Sequence, residues 1–479
     1  MIAFTGSRTG PVTGLMLAFM LVLVTAPDGR AQRQTPPPGG TPEDFRLPET
    51  RTFTLENGLG VTLAPYGWLP KTTVQLVLGT GNINETRDQV WLADITGDLM
   101  MEGTISKNGQ EIALAAAAMG GEVDVTVGPD ETTVGGNALS EYAPDLLGLI
   151  ADIARNPAFP PDELDRLKAD RIRQVTIARS QPQNLTLERF RAILYADHPY
   201  GRVYPTPEML TGYTIEGIRS FYDANYGAQR AHVYVAGRFD EAAVEAAVRE
   251  AFGDWPAGPP GIENVPSPAS EREIHLLDRP GAVQSTVYIG LPVIDPSDPD
   301  YLALQVTNTL LGGSFNSRIT SNIRETKGYT YSPFSQVSSR FRDAYWVQVA
   351  DVTTAVTGPS LEEIFHEIDR LQAEPPTEPE LEGIQNYMAG TFVLTNSSPS
   401  GIIGVLRFLN LHGLGRDYLT DYVQNVYAVT PEEVRRMAVD VLEDEEMVIV
   451  IAGDETVIRE QVSPFGEIVG EESPPLRVE

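Results

Sequence analysis

The sequence predicts an α+β protein made of two homologous α/β-sandwich domains, each with a mixed, mostly antiparallel sheet and helices on one face. Short β-type runs alternate with longer amphipathic helical runs along most of the chain. Residues 232–248 (HVYVAGRFDEAAVEAAV) parallel residues 448–462 (VIVIAGDETVIREQV), because each segment has an apolar strand, Ala-Gly, an acidic residue and then a helix. A linker rich in Pro and Gly, residues 256–270, lies between the two copies. A repeat of about 200 residues is too long for a solenoid and suits a duplicated domain.

The composition is strongly acidic and free of cysteine. The chain has 479 residues, with 35 Lys and Arg against 66 Asp and Glu, and a formal net charge of −31. Because phosphate contacts need clustered Lys and Arg, nucleic acid is not expected as a partner. The absence of Cys excludes disulfides and thiol catalysis.

Residues 1–31 are predicted to be a secretory signal peptide. Arg8 supplies a positive start, residues 15–26 form an apolar run, and small residues allow cleavage near Ala31. The run is short for a bilayer span, and an uncleaved anchor is the alternative. An exported, acidic chain without Cys fits the periplasm, with no stable membrane insertion after the signal is removed. Residues 32–49, rich in Pro, Gly and Gln, are predicted to be a disordered leader.

The first predicted domain covers residues 50–255. Asn57-Gly58 is a preferred hairpin turn, Gly120-Gly121 leads into an alternating strand, and Pro157 follows the end of a helix. Strands are predicted at residues 52–55, 59–63, 72–80, 122–127, 132–139 and 231–236, and helices at residues 90–102, 111–118, 143–155, 161–180, 215–224 and 239–252.

The second predicted domain covers residues 271–465, and residues 466–479 are expected to be a tail. The order of elements recurs after the linker, which supports duplication. Strands are predicted at residues 273–277, 285–291, 344–349 and 447–452, and helices at residues 300–311, 360–373, 378–396, 430–442 and 455–462.

Residues 310–335 (LLGGSFNSRITSNIRETKGYTYSPFS) are the most informative stretch of the second domain. Gly312-Gly313 breaks an apolar helical run, and a helix is predicted to resume over residues 314–323. Phe315, Ile319 and Ile323 lie four residues apart, which predicts one buried helix face.

Arg324 is expected at the end of this helix, and Tyr331 after a turn at Gly328. A guanidinium and a phenol at such a helix–turn–strand corner can point into one cleft. Both groups donate hydrogen bonds suited to a carbonyl oxygen or its oxyanion. An ordinary helix with a surface Arg and a half-buried Tyr is the alternative.

This stretch resembles the second-domain signature of the pitrilysin/insulinase metallopeptidases, whose Arg and Tyr contact substrate. The positions that match are Gly312, Gly313, Ser317, Arg318, Arg324, Glu325, Gly328 and Tyr331. The resemblance extends over residues 51–462, with the linker where that family joins its two domains. It implies that the chain forms half of a clamshell around an unfolded peptide.

The zinc motif of that family, HxxEH, is degenerate at the matching helix. In the register set by Gly103-Thr104, both His positions are Asp (Asp94 and Asp98), and the position of the general base is Gly97. Counting on to the third ligand position reaches Gln174. Loss of general-base catalysis alone typically costs ~10²–10⁴-fold in rate. We therefore predict no metal in this chain.

Other sites for a metal or a nucleophile are not apparent. The five His form no close pair: His198, His232, His275, His366 and His412. Asp94, Asp98 and Glu102 could form an acidic stripe for calcium or magnesium, but a solvated helix face is the expectation we favour. Gly312-Gly313 lacks the Lys and spacing of a phosphate loop, and no G-x-S-x-G occurs.

The resemblance implies a subunit without zinc chemistry, inactive alone and active with a homologous partner that carries HxxEH and zinc. Arg324 and Tyr331 would bind an unfolded peptide and help to stabilise the oxyanion. A non-enzymatic structural or peptide-holding protein is the alternative, and Arg324 with Tyr331 is the feature that argues against it. A self-sufficient hydrolase that uses Asp94 and Asp98 with an unusual metal is a further alternative.

Overall fold

The computed structural model describes residues 46–470. The predicted signal peptide, most of the predicted leader and most of the predicted tail lie outside these residues. Of the leader, residues 46–49 are described, and the Arg416 guanidinium donates to the Pro48 carbonyl (3.2 Å). Of the predicted tail, residues 467–469 form a strand, so the second domain extends past its predicted end at residue 465.

The first domain contains six strands and eight helices within the described residues. The strands are β1 (Arg51–Thr54), β2 (Gly60–Pro65), β3 (Lys71–Leu78), β4 (Glu122–Val127), β5 (Thr132–Leu139) and β6 (Ala231–Gly237). The helices are α1 (Leu92–Glu102), α2 (Gly109–Ala118), α3 (Ala143–Arg155), α4 (Pro161–Ser180), α5 (Pro182–Tyr195), α6 (Pro207–Gly212), α7 (Ile215–Asn225) and α8 (Glu241–Phe252).

The second domain has the same kinds of element, together with two π-helical segments. The strands are β7 (Glu273–Asp278), β8 (Gln284–Val293), β9 (Phe334–Arg340), β10 (Asp343–Thr353), β11 (Val448–Gly453) and β12 (Glu467–Val469). The helices are α9 (Tyr301–Asn308), α10 (Thr357–Ala373), α11 (Glu378–Thr395), α12 (Pro399–His412), α13 (Asp417–Thr420), α14 (Tyr422–Ala428), α15 (Pro431–Val441) and α16 (Glu455–Val462). The π-helical segments are Thr309–Gly313 and Thr320–Thr326.

The two sheets have one topology, which confirms the predicted α+β fold with two homologous domains. The first sheet has the order β1-β2-β6-β3-β5-β4, and the second has the order β12-β7-β11-β8-β10-β9. In each sheet a parallel pair, β2 with β6 or β7 with β11, continues into an antiparallel run that ends at an edge strand. The outermost strand differs: β1 comes from the start of the first domain and is antiparallel, whereas β12 comes from the end of the second and is parallel.

Each sheet packs its own helices on one face and a helix of the other domain on the opposite face. Helix α5 of the first domain lies against β8 and β11 of the second, and α12 of the second lies against β3 and β6 of the first. On α5, the fully buried Phe190 contacts the rings of Tyr288 and Tyr345. On α12, Ile402 and Ile403 are fully buried in a cluster with residues of the first sheet.

Polar contacts add to this interface between the domains. Gln183 Nε2 donates to Asp351 Oδ2 (2.8 Å), and the Arg407 guanidinium pairs with Glu131 (2.9 Å). Residues 256–270 have neither helix nor strand and lie along the first domain, where Ala269 N donates to the Leu194 carbonyl (3.1 Å). The two domains therefore form one packed body.

Helices α5, α6, α12, α13 and α14 and strand β12 were not predicted. The β-type run expected from Tyr329 begins as β9 only at Phe334, and the helix predicted at residues 314–323 also begins later than expected. Helical backbone starts only at Arg318 and then widens into the second π-helical segment. Ile319 and Ile323 are fully buried as predicted, but Phe315 precedes the helix and is 66% exposed. None of the helices within residues 46–470 combines the length and apolar composition needed to span a bilayer.

The packing of α5 on the second sheet makes Phe190 a test of the fold. We expect Phe190→Ala to lower the free energy of unfolding by about 3–5 kcal/mol, because it leaves a cavity between the domains. Leu394→Ala, at a side chain that is 75% exposed, should change it by less than about 0.5 kcal/mol. Guanidinium unfolding of both variants checks this, and equal effects would show that α5 does not stabilise the domain pair.

Candidate functional site

Helix α1 carries the positions that the sequence aligns with the zinc motif, and it presents its acidic face to α4. It begins after Trp91, whose backbone is left-handed (φ 67°), and it packs against β4 and α4. The face that the sequence predicted to be solvated is therefore covered by a neighbouring helix. The side chains of Asp94 and Asp98 keep only 15% and 29% of their exposure.

The guanidinium of Arg171, on α4, occupies the place where the three ligand positions converge. Its Nε and Nη2 each donate to a different oxygen of Asp98 at 2.8 Å. Its Nη1 donates to Gln174 Oε1 (3.2 Å) and lies 3.4 Å from Asp94 Oδ1. We call these four residues the Arg171 bridge. Burial acts to lower the pKa of Arg171, but the hydrogen bond and charge of Asp98 outweigh it, so the pKa is raised and the cation is held.

Gly97, at the position of the general base, is buried and faces strand β4. A Cβ atom at this position would lie 2.9 Å from Val127 Cγ2 and 3.2 Å from Val125 Cγ1. The glycine therefore lets the helix approach the sheet closely, and a larger residue would require the side chains of Val125 and Val127 to shift. The residues present do not fit a zinc centre. The guanidinium of Arg171 engages the ligand positions, and Gly97 has no side chain to act as the general base.

The rest of the acidic stripe is also neutralised by α4. Glu102 pairs with Arg166 (2.5 Å), one turn and a half before Arg171 on the same helix. Within residues 46–470, no group of three or more His, Cys, Asp or Glu side chains is placed to hold a metal ion. The expectation of a solvated face is therefore wrong, because the carboxylates of the stripe pair with arginine side chains of α4. The alternative of a self-sufficient hydrolase requires Asp94 and Asp98 to bind a metal. Both carboxylates are instead engaged by Arg171.

A buried carboxyl that the sequence did not single out, Glu85, supports the start of α1. Its oxygens accept hydrogen bonds from the backbone N–H of Trp91 (3.1 Å) and of Ala93 (2.8 Å). Asn82 Nδ2 donates to both Glu85 Oε1 (3.2 Å) and Asp94 Oδ2 (2.8 Å). Burial, and then the charge of Asp94, raise the pKa of Glu85 to about 8. Glu85 lies seven residues before the start of α1, where no spacing rule points to it.

The second candidate site is built by the two π-helical segments, which flank a short irregular stretch, residues 314–317. Such wide turns are rare and are frequent at functional sites. At Gly312, a Cβ atom would overlap the side chains of Ser335 and Gln348, so only glycine lets the first segment lie this close to β9 and β10.

Polar contacts hold the second π-helical segment against α10 and α11. Arg318, which is only 9% exposed, donates to both carboxylate oxygens of Glu380 (2.7 and 3.0 Å). Asn322 Nδ2 donates to Glu363 (2.9 Å) and to Glu367 (2.8 Å). Arg318 belongs to the signature that the sequence shows, but its role as a support follows only from Glu380, which is distant in sequence.

Arg324 and Tyr331 meet, as predicted, and an unexpected third residue joins them. The Arg324 guanidinium lies 4.2 Å from the ring centre of Phe315 and 5.3 Å from that of Tyr331. The ion-pair partner of Arg324 within residues 46–470 is the exposed Glu325, at 3.4 Å. Tyr331 is 80% exposed, so the half-buried Tyr of the alternative interpretation is not observed. Aromatic faces thus restrain the guanidinium and leave its N–H edge free for a ligand.

A cavity of about 350 Å³ opens beside this group. Its walls include Phe315, Arg324, Tyr331, Pro333 and Phe334, all from the second domain. None of the positions of the Arg171 bridge lines it. The structure therefore separates two sites: one whose metal positions are filled by a guanidinium, and one that presents N–H and O–H donors beside apolar walls.

Sequence profiles of one peptidase family match both halves of the chain. Residues 69–208 match the profile described as insulinase (peptidase family M16), and residues 213–388 match the peptidase M16 inactive domain. An uncharacterized zinc protease of Bacillus subtilis (strain 168) is 24% identical over 73% of this chain and 85% of that protein. An uncharacterized zinc protease of Mycobacterium leprae (strain TN) is 28% identical over 59% of this chain and 64% of that protein.

Solved structures share the fold. The peptidase M16 inactive domain from Pseudomonas fluorescens matches with a TM-score of 0.79 at 23% identity, over 84% of this chain and 98% of that chain. A protease from Helicobacter pylori matches with a TM-score of 0.78 at 19% identity, over 85% of this chain and 100% of that chain. At these identities the likeness establishes the fold alone.

The Arg171 bridge predicts that zinc ligands cannot simply be put back. We expect the triple variant Asp94→His, Asp98→His, Gln174→Glu to stay free of zinc while Arg171 is present, because a buried cation repels the metal. Adding Arg171→Ala should raise zinc affinity at least about tenfold. Metal analysis after dialysis, with competition against a chromophoric chelator, measures this.

Arg166→Ala in the same triple variant is the matched control, since Arg166 is a neighbouring cation of α4 that pairs outside the bridge. Zinc binding by the triple variant itself, or equal gains from the two Arg→Ala changes, would contradict the role given to Arg171.

Glu85 predicts a pH dependence of stability. Its pKa is about 8 in the folded state, against an ordinary value of 4.5, so the folded state binds the proton more tightly. This contribution is complete below about pH 4.5 and is lost as the pH rises through about 8, by about 3–5 kcal/mol in all. Relative to Glu85→Gln, the wild-type chain should therefore lose stability over this interval. The test is to measure the free energy of unfolding of both chains at several values from pH 4.5 to pH 9. An equal pH dependence in the two chains would contradict the prediction.

Proposed function

The chain belongs to the insulinase family of peptidases (peptidase family M16), and from this premise we propose that it is the zinc-deficient subunit of a two-subunit metallopeptidase in the periplasm. Its role is to supply Arg324 and Tyr331 to a peptide site. The homologous partner subunit carries HxxEH and holds the zinc.

The state of Arg324 is the observation that carries this proposal. The guanidinium lies over the rings of Phe315 and Tyr331, has the exposed carboxylate of Glu325 as its ion-pair partner within the described residues, and lines a cavity. A scaffold has no need for a cation held in this way, because ordering exposed aromatic and guanidinium side chains costs conformational entropy. Hydrogen bonds from the Arg324 N–H groups to a bound ligand would offset this cost.

The Arg171 bridge supplies the second half of the argument. Asp94, Asp98 and Gln174 are engaged with a permanent cation, and Gly97 offers no group to move a proton. A chain built in this way needs a metal centre from elsewhere to hydrolyse a peptide. A partner of the same fold that retains HxxEH meets that need.

The chemistry assigned to this chain is donation of hydrogen bonds. The Arg324 N–H groups and the Tyr331 O–H group would donate to the oxygen of the scissile carbonyl, and donate more strongly as negative charge develops on that oxygen. Because the rings of Phe315 and Tyr331 already restrain the guanidinium, little ordering remains to be done when the peptide binds.

The periplasmic location rests on the sequence alone. The apolar run at residues 15–26 and the small residues near Ala31 favour export. The high negative charge favours solubility in that compartment.

Hydrolysis of an unstructured peptide tests the proposal. We expect no hydrolysis by this chain alone and hydrolysis when a family subunit with HxxEH from the same cell is added. Arg324→Ala or Tyr331→Phe should then lower kcat by ~10²–10³, the typical loss when one oxyanion donor is removed. Zinc analysis of each chain shows which of them holds the metal.

Arg435→Ala is the control, because this exposed Arg of α15 pairs with Glu432 on the same helix and lies in neither candidate site. Full activity of this chain alone would refute the proposal. If the two chains associate but no peptide is hydrolysed, the structural alternative is correct.

A further inference from the structure

Three large aromatic side chains are exposed together around Arg324. Phe315 is 66% exposed, Tyr331 is 80% exposed and Phe334 is 44% exposed. Soluble proteins seldom leave aromatic rings clustered in water, and such clusters mark binding surfaces. The chain that directly follows Phe315 is fixed in place, because Arg318 bonds to Glu380 and Asn322 bonds to Glu363.

These rings form walls of the cavity whose rim carries the hydrogen-bond donors. Phe315, Tyr331, Pro333 and Phe334 supply its apolar surface, and Arg324 supplies the cation. We call this cavity the aromatic pocket. Its volume of about 350 Å³ can admit one large side chain.

The charge of the pocket restricts what it can admit. Among the residues that the structure describes, the exposed Glu325, at 3.4 Å, is the ion-pair partner of Arg324. A Lys or Arg side chain entering the pocket would meet a like charge at close range. Apolar side chains gain instead by leaving water against the aromatic walls.

We propose that the aromatic pocket binds an aromatic or large aliphatic side chain of the peptide and discriminates against Lys and Arg, with Phe315 as the residue that sets this preference. The proposal rests on the proposed function, since it assigns the pocket to the same peptide whose carbonyl group meets Arg324 and Tyr331. Phe315 has two roles here: its ring restrains the guanidinium on one face and forms a wall of the pocket.

Peptide binding by the purified full chain tests this without a partner subunit. The probes are fluorescently labelled eight-residue peptides of Ser and Thr with one central guest residue: Phe, Leu, Ala or Lys. Fluorescence anisotropy should show the Phe and Leu peptides binding about tenfold tighter than the Ala peptide. The Lys peptide should bind no better than the Ala peptide.

Phe315→Ala should reduce the preference for Phe over Ala to less than about threefold, whereas Phe315→Leu should retain part of it. Because Phe315 is largely exposed, its removal leaves no buried cavity, and thermal unfolding should be unchanged. Leu394→Ala, another exposed apolar residue, is the matched control and should keep the full preference.

The outcomes separate the two proposals. Binding of all four peptides with equal affinity would overturn the assignment of the aromatic pocket and leave the proposed function standing. Equal weakening of all four peptides by Phe315→Ala would show that Phe315 only restrains Arg324, which also overturns the specificity. Failure of the wild-type chain to bind any peptide would overturn the proposed function itself.

Discussion

Two apolar sheet faces must be covered in each domain, and an exchange of helices between the domains covers them. Strand β11 is buried along its whole length, which a sheet with one solvated face does not allow. Helix α5 of the first domain lies on the second sheet, and α12 of the second lies on the first. The two domains are therefore tied to each other by their cores, so that both candidate sites are held on one packed scaffold.

The positions that align with the zinc motif surround a positive charge that is not a metal ion. Two carboxylates and an amide meet a cation there, as they could meet a metal ion, but the cation is the guanidinium of Arg171. A planar guanidinium binds a carboxylate through two parallel hydrogen bonds and has no open position for water or substrate. The guanidinium balances the charge of the carboxylates between α1 and α4, but it cannot act as a Lewis acid as a metal ion does. Burial and the charge of Asp94 raise the pKa of the nearby Glu85 to about 8, so this carboxyl group is protonated near neutral pH.

The sequence could predict what its local pattern encodes. Most strands and helices with a clear period were predicted to within a few residues, and the meeting of Arg324 with Tyr331 follows from a signature of fixed spacing. Helix α5 was missed because it begins at Pro182, directly after α4, and its buried Phe190 faces the other domain. Arg171 could not be predicted, because α4 carries many charges and only the fold selects which one meets Asp98. Phe315 was placed on a buried face because its spacing to Ile319 fits a helix, whereas the chain does not become helical until Arg318.

One edge strand of each sheet is very short, and these two strands come from opposite ends of the described residues. Strand β1 has four residues and β12 has three, so neither offers a long template for another chain. Strand β7, directly inside β12, has three consecutive buried residues, His275 among them. Proteolytic removal of β12 would thus make β7 an edge strand, with backbone N–H and C=O groups free to pair with another chain. Strand β12 thus protects one side of the second sheet, although it touches neither candidate site.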